Sequence, residues 1–309
     1  MKVLCLHGRG TSGAIFKSQT SSVRSRLTDL NLDFDFLDGP YPCSPAPGIE
    51  LFYPGPYYSY FAETPQNTAF ETIESTHEWL SDIISQRGPY DLVLTFSQGA
   101  ALAAGMLLVH EMDSQAQSHF PEAETESRHG HADKSTRKPP FKSAIFICGG
   151  APLALLEHVG YIIHAATKER DLASRVALSS MAGSAAILSR GSARWTANGL
   201  DMTFPSTTTS SPYSYNQLSN GSLQLTFNKE DEIRREISRR GGVKISIPTV
   251  HIYGERDPRY IAGIQLSEVC EKARRKVYNH GGGHEIPRFE AVSGAIADLV
   301  RWAVRAAGE

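Results

Sequence analysis

The chain has 309 residues, of which 40% are hydrophobic and 21% are charged, and its formal net charge is −2. This is ordinary globular composition, with enough apolar residues for a sizeable core. The near-neutral charge gives no electrostatic signature of nucleic acid or of a membrane surface, so we expect neither as a partner.

The N-terminal segment Met1–Gly8 predicts a short buried strand over residues 3–6, followed by a glycine-containing loop. The segment is too short and too soon interrupted to be a signal peptide, and no apolar run is long enough to span a bilayer. The four cysteines form no CxxC pair and have no metal-ligand spacing. We therefore expect a cytoplasmic protein in a reducing compartment, without a metal.

Strands and helices alternate along the rest of the chain. The patterns predict strands at 34–37, 92–96, 144–148, 249–253 and 275–278, and helices at 71–85, 99–109 and 290–306. The strands are apolar throughout, which is typical of a parallel sheet covered on both faces. We predict an α/β fold in one domain over residues 1–309, a doubly wound, mostly parallel sheet with helices on both faces. Ligands of such sheets bind beyond the carboxyl ends of the strands.

Two polar stretches interrupt the alternation. Residues 114–140 are charged and almost free of aliphatic side chains, which predicts a solvated loop. Residues 155–242 form a longer insertion with a helical first part and a middle rich in Ser, Thr, Asn and Pro. The sequence leaves open whether this insertion is a lid, a loop without function or a gene-model artefact.

Ser97 follows an apolar run and precedes Gly99 and an alanine-rich helical stretch. That order is typical of a nucleophile elbow, a sharp strand-to-helix turn that exposes a serine hydroxyl above the sheet. Thr95 departs from the pattern, which normally has a smaller residue two places before the serine. The alternative is a serine that only caps a buried helix.

A serine nucleophile needs a base and a group that orients the base, in the chain order Ser, acid, His. The acid candidate is Asp257, which follows the strand at 249–253 on a turn fixed by Pro258, and Glu255 is its rival. The base candidate is His284, which follows three glycines that allow close backbone approach, and His280 is its rival.

An oxyanion hole needs two backbone N–H groups directed at the developing charge. The N–H of Gln98, directly after the nucleophile, is one candidate. The second is the N–H of Arg9 or Gly10, in the glycine-containing loop after the first strand. That loop matches neither phosphate-binding glycine motif, which disfavours a nucleotide site.

Several motifs together resemble the fungal serine hydrolase (FSH-type) family of α/β-hydrolases. The resemblance covers roughly residues 1–110, 141–153 and 246–304 and skips both insertions. The matching stretches, in family order, are KVLCLHGRGTSG, LDGPYPCSPAPGIELFYPGPYYSYF, GPYDLVLTFSQGAALAAGMLL, FICGGAPL, IPTVHIYGERDP and GGGHEIP. The resemblance implies an α/β-hydrolase fold and a charge-relay triad of Ser97, Asp257 and His284.

The PGPYYSYF run is similar to that of the lovastatin-type polyketide thiohydrolases in the same family. Those members release an acyl chain from the carrier domain of a polyketide synthase, and other members cleave simple esters. The resemblance therefore implies a cofactor-free esterase or thioesterase of secondary-metabolite biosynthesis. Its partner would be a small acyl ester or a carrier-bound acyl thioester.

The aromatic loop before residue 62 is the candidate lining of an acyl site, and ordinary packing is the alternative. The candidate substrate-binding residues are Tyr53, Tyr57, Tyr58 and Phe61. Two other functions stay open at this point. One is a non-catalytic hydrolase-like binding protein, and the other is an acyltransferase that uses the same triad.

Overall fold

The computed structural model describes residues 1–62, 70–119, 138–180, 215–217, 223–225, 237–239 and 243–308. Its strands are β1 (Lys2–Leu6), β2 (Asp33–Leu37), β3 (Tyr41–Pro42), β4 (Tyr58–Ser59), β5 (Leu92–Phe96), β6 (Ser143–Ile147), β7 (Tyr161–Ile163), β8 (Tyr215–Gln217), β9 (Leu223–Leu225), β10 (Ile237–Arg239), β11 (Thr249–Tyr253) and β12 (Arg275–Asn279). Its helices are α1 (Gly13–Gln19), α2 (Ser21–Arg24), α3 (Phe70–Arg87), α4 (Gln98–His119), α5 (Leu153–His158), α6 (Ala165–Ser180), α7 (Tyr260–Glu268) and α8 (Glu290–Ala306).

Six of these strands form one central sheet in the order β12-β11-β6-β5-β1-β2. All five pairings within it are parallel. From β1 the chain first moves outward to β2, and then returns to the other side of β1 at β5. The loops after β1 and β5 therefore diverge at the carboxyl edge, which is the switch point where such sheets bind ligands. The predicted α/β-hydrolase fold is confirmed.

Apolar side chains cover the sheet on both faces, in two separate core clusters. On one face, α3, α4 and α5 contribute buried residues such as Leu80, Leu102 and Leu155. On the other face, α1, α2 and α8 contribute buried residues such as Phe16 and Ile296. Buried strands in a two-sided sheet need apolar residues at every position, which is why their sequences showed no alternation.

The predicted helix at 99–109 is too short, because α4 continues to His119. The first six residues of the predicted loop at 114–140 therefore belong to this helix. Helix-forming residues such as Gln115 and Ala116 favour this extension, and an exposed helix end needs no apolar stripe. The rest of that loop up to residue 137 lies outside the described residues. The predicted strand at 144–148 is shifted by one residue, since β6 begins at Ser143 and ends at Ile147.

The beginning of the insertion at 155–242 is regular structure. It contains most of α5, the strand β7 and the helix α6. β7 pairs in antiparallel fashion with β10, near the other end of the insertion. Most residues between 181 and 242 lie outside the described ones, so the interpretation of the complete insertion stays a prediction.

Within the described residues, no helix combines the length and the apolar character that crossing a bilayer requires.

His77 is the clearest polar exception inside the core. It lies on α3 facing α4, where its Nε2 would come within 2.9 Å of a Cβ at Gly105. That nitrogen is buried and has no hydrogen-bond partner among the residues described. Burial lowers the pKa of His77 to about 4, and a hydrogen bond to the backbone of Leu102 opposes the shift. The neutral imidazole is therefore the form that fits between the two helices.

This burial predicts an acid-sensitive fold. Above pH 6.5 the imidazole of His77 is neutral in both the folded and the unfolded chain. Between pH 6.5 and 4 only the unfolded chain takes up the proton. The free energy of unfolding should fall across that window, by roughly 3 kcal/mol at pH 4 from this group. His77→Gln should remove that part of the loss, as measured by urea unfolding at pH 8, 6, 5 and 4.

The exposed His164, changed to Gln, is the matched control and should leave the pH dependence as in the wild type. A His77→Gln variant whose stability falls with pH as steeply as the wild type would contradict the assignment.

Candidate active site

Ser97 lies directly after β5 in a left-handed backbone conformation, with φ at 52°. The tight turn is possible because small residues surround it. A Cβ at Gly99 would lie 2.5 Å from the carbonyl oxygen of Leu6, and one at Gly8 would lie 3.3 Å from the Cβ of Ser97. Helix-capping serines have extended rather than left-handed backbones, so the capping alternative does not fit. The geometry is that of a nucleophile elbow.

Thr95, the residue that departs from the usual elbow pattern, is fully buried. Its hydroxyl donates a hydrogen bond of 2.9 Å to the carbonyl oxygen of Ile145 on the neighbouring strand β6. The hydroxyl is therefore satisfied inside the sheet, away from the serine hydroxyl.

Two hydrogen bonds connect Ser97 to the predicted base and acid. The Nε2 of His284 lies 2.8 Å from the Oγ of Ser97, and its Nδ1 lies 2.7 Å from the Oδ2 of Asp257. The structure brings together these three residues, rather than their rivals Glu255 and His280. The three side chains come from three separate loops at the carboxyl edge of the sheet.

Asp257 is buried, with 4% of its surface exposed. Its Oδ1 accepts a hydrogen bond of 2.8 Å from the backbone N–H of Arg259, and its own N–H donates to the carbonyl oxygen of Gly254. Both carboxylate oxygens therefore have partners, which leaves the carboxylate one orientation.

The loop that carries His284 rests against the loop that carries Asp257. A Cβ at Gly254 would lie 2.1 Å from the carbonyl oxygen of Gly282, so only glycine fits at this crossing. The ring of His284 also packs against Phe96, with ring centroids 5.1 Å apart. These contacts restrict the imidazole to the space between the serine and the carboxylate.

His280 points to another neighbour. Its Nε2 lies 3.9 Å from the Sγ of Cys148, and its Nδ1 accepts a hydrogen bond from the N–H of Gly282. It therefore supports the fold of the glycine loop, and burial lowers its pKa.

Cys148 lies beneath the site as a buried free thiol. The potential metal-ligand atoms of Cys148, Asp257 and His284 all lie within 4.8 Å of one another, the one such group among the residues described. Burial raises the pKa of the Cys148 thiol, and the charge of Asp257 adds to the effect. A metal ion would need the thiolate and would replace one of the two hydrogen bonds of His284, so this set fits proton transfer better.

The predicted oxyanion donors need one correction. The N–H of Gly10 donates to the carbonyl oxygen of Tyr58 at 3.0 Å, so it is already used within the fold. Of the two candidates in that loop, Arg9 is the one that this bond does not exclude. Gln98 is the first residue of α4, where N–H groups have no partner inside the helix.

His7 holds the loop that carries Arg9. It is fully buried, and its Nε2 accepts a hydrogen bond of 3.0 Å from the N–H of Gly39. The proton must then be on Nδ1, which lies 2.7 Å from the carbonyl oxygen of Gly8. Burial lowers the pKa of His7, which favours this neutral form. His7 therefore packs and orients the loop.

The aromatic segment contacts the loop of His284 through the hydroxyl group of Tyr53. The Tyr53 hydroxyl accepts a hydrogen bond of 2.7 Å from Arg288, which follows His284 on the same loop, and Tyr57 donates to the carbonyl oxygen of Tyr53. Tyr58 pairs through its backbone in the β3–β4 hairpin, and Phe61 packs on the core that includes α3 and α4. For Phe61 the packing alternative is therefore favoured, and substrate contacts of the three tyrosines stay a prediction.

Sequence reasoning did not identify two polar contacts around the site. The side chain of Gln98 accepts a hydrogen bond of 2.9 Å from the N–H of Tyr60, and so joins the aromatic segment to the elbow. The guanidinium of Arg259 reaches Asp171 and Ser174 on α6. In the sequence, the spacing of three between Asp171 and Ser174 indicates that both lie on one face of a helix. The local sequence does not indicate which element that face contacts.

Most of this chain is similar in sequence to a known protein family and to fungal esterases. The family described as "Serine hydrolase (FSH1)" matches residues 1–296. Esterase FPY3 of Fusarium mangiferae is 27% identical over 303 residues, covering 97% of this chain and 94% of that protein. Esterase alnB of Emericella nidulans is 27% identical over 313 residues, covering 98% and 96%. Among solved structures, esterase PE8 is 15% identical with a TM-score of 0.45, covering 98% and 92%.

The crossing of the two loops gives a direct test. Gly254→Ala should push the loop of Gly282 and His284 away from Ser97, because the new Cβ would overlap a carbonyl oxygen. A displacement of about 1 Å costs on the order of 10²-fold in the rate of a positioned reaction. The measurement is the labelling rate of the serine by a fluorophosphonate probe.

Gly283→Ala, on the same loop, is the matched control, because a Cβ there meets nothing within 4 Å. It should label at the wild-type rate. If folded Gly254→Ala also labels at that rate, the crossing does not position the histidine.

Proposed function

We propose that this chain, which belongs to the serine hydrolase (FSH1) family, cleaves acyl esters or thioesters through an acyl-enzyme on Ser97. The observation that carries the proposal is the continuous relay from the Ser97 hydroxyl through His284 to Asp257, with distances of 2.8 and 2.7 Å. Serine hydroxyls react at neutral pH only when a base takes their proton, and this relay supplies one.

The reaction has two steps, acylation of Ser97 and hydrolysis of the acyl-enzyme. The Nε2 of His284 takes the proton of the Ser97 hydroxyl while the Oγ of Ser97 bonds to the acyl carbon. The tetrahedral intermediate then expels the alcohol or thiol, which receives the proton from His284. Water repeats the sequence on the acyl-enzyme, releases the carboxylic acid and restores the Ser97 hydroxyl.

Asp257 keeps the proton of neutral His284 on Nδ1, so that Nε2 can accept from the serine. Its charge also stabilises the imidazolium that forms in each step. Because the carboxylate is buried and held on both oxygens, it needs little reorganisation when that charge appears.

The oxyanion binds between the start of α4 and the loop after β1. The N–H of Gln98 is one donor, and the N–H of Arg9 is the other. Gly8 brings that loop close to Ser97, since a Cβ on Gly8 would lie 3.3 Å from the serine Cβ. The partial positive charge at the start of α4 adds to the stabilisation.

Thioester cleavage is the finer part of the proposal. The relay serves oxygen esters and thioesters alike, so the geometry favours neither. The names of FPY3 and alnB support ester substrates. The likeness of the PGPYYSYF run to polyketide thiohydrolases supports a carrier-bound acyl thioester from secondary metabolism.

Replacement of the nucleophile tests the mechanism. Ser97→Ala should lower kcat by about 10⁶-fold on a chromogenic ester, because the acyl-enzyme cannot form. It should also abolish fluorophosphonate labelling, which peptide mapping would place on residue 97 in the wild type. Wild-type turnover by folded Ser97→Ala would rule out the mechanism.

Matched pairs of variants distinguish the relay residues from their sequence rivals. Asp257→Asn should lower kcat by about 10⁴-fold, since the wrong tautomer of His284 is stabilised. Glu255→Gln, two residues away, should retain activity. A larger loss in Glu255→Gln than in Asp257→Asn would reverse the assignment of the acid.

The leaving group can be tested with one acyl chain presented in three forms, as an ethyl ester, an N-acetylcysteamine thioester and a carrier-protein thioester. A thiohydrolase should show its highest kcat/KM on the carrier-bound form. An equal or higher kcat/KM on the ethyl ester would indicate a simple esterase.

A separate experiment distinguishes hydrolysis from acyl transfer. Mass spectrometry of the products formed with added alcohol would reveal acyl transfer in place of hydrolysis.

A further inference from the structure

Arg259 joins the acid of the proposed relay to helix α6. Its backbone N–H donates to the Oδ1 of Asp257 at 2.8 Å. Its guanidinium extends away from the site and donates to the Oδ1 of Asp171 and to the Oγ of Ser174, both at 3.0 Å. One residue therefore contacts the carboxylate with its backbone and the insertion with its side chain.

The ion pair between Arg259 and Asp171 is buried. Their side chains are 10% and 13% exposed, whereas the other partner of Asp171, Arg175, is 60% exposed. The guanidinium is also tightly packed on the side of Gly150, since a Cβ at Gly150 would lie 2.5 Å from Nη2. A buried guanidinium is held firmly by a paired carboxylate, because losing the partner leaves an uncompensated charge. The side chain of Arg259 is thus fixed in one position.

The backbone of Arg259 has little freedom of its own. The residue is the N-cap of α7, and the N–H of Tyr260 donates to the carbonyl oxygen of Asp257. The N–H that orients the carboxylate therefore sits in a short turn between the acid and α7. Fixing the guanidinium fixes this turn from the side opposite His284.

We propose that the Asp171–Arg259 ion pair, with Ser174, is a positioning contact through which helix α6 orients the carboxylate of Asp257. This inference rests on the proposed role of Asp257 in the relay. In this proposal the three residues act through the acid and not through contact with the substrate. The first part of the insertion at 155–242 is then a structural support of the active site rather than a dispensable loop.

The first test is Asp171→Asn, assayed on a chromogenic ester with the full-length enzyme. The expected result is a fall in kcat of about 10- to 100-fold with KM within about twofold, because positioning and not substrate binding is lost. Arg175→Ala is the matched control, since it removes the exposed partner of Asp171 and leaves Arg259 paired. It should retain wild-type kcat.

A second variant covers the case in which Asp171→Asn does not fold. The double variant Asp171→Leu with Arg259→Met removes both charges, and such replacements of buried ion pairs commonly keep stability. It should unfold at or near the wild-type temperature and still show the lowered kcat. Wild-type kcat in this folded double variant would overturn the proposal.

A cycle with Asp257→Asn separates this inference from the proposed function. If the ion pair acts through the acid, Asp171→Asn should have little further effect once Asp257 is Asn. If the losses in kcat of the two single variants instead multiply in the double variant, the positioning role is overturned. Near wild-type activity of Asp257→Asn alone would instead contradict the relay itself.

The downfield proton resonance of the His284 Nδ1–H group gives a readout that does not depend on turnover. It should weaken or shift in Asp171→Asn and stay unchanged in Arg175→Ala.

Discussion

The proposed active site depends on the left-handed backbone conformation of Ser97. An ordinary residue in that conformation is costly, and it persists only where the surroundings impose it. Here the central strand β5 ends at Phe96 and α4 begins at Gln98, so Ser97 alone connects them and the chain must reverse within one turn. Gly8 and Gly99 leave room for this reversal, since a Cβ on either would overlap neighbouring atoms. The rest of the site is arranged around the hydroxyl that the turn exposes.

The residues of the proposed relay are positioned by contacts between different loops, not by contacts within one loop. The loop of His284 crosses the loop of Asp257 at Gly254, and Arg259 holds the carboxylate from the other side. This construction places three polar groups at the carboxyl edge while the strands beneath stay apolar. Through the ion pair of Arg259 with Asp171, the helix α6 is connected to the same group of contacts.

Much of the fold could be predicted because buried parallel strands are short continuous apolar runs. The predicted strands at 92–96 and 249–253 and the helix at 290–306 have the bounds of β5, β11 and α8. The helices α1 and α7 were not predicted. The sequence of α7, YIAGIQLSE, is apolar or small except at Gln265, Ser267 and Glu268. It therefore lacks the wide polar face of the amphipathic pattern that identifies a surface helix.

The sequence by itself determined the order of the candidate residues Ser97, Asp257 and His284, because each lies in a local motif next to a strand or glycine turn. Only the tertiary structure decided that His284 rather than His280 faces the serine, and that Tyr58 already uses the N–H of Gly10. These contacts join residues that are far apart along the chain. Their distances depend on how strands and loops pack, and local sequence patterns carry no information on that packing.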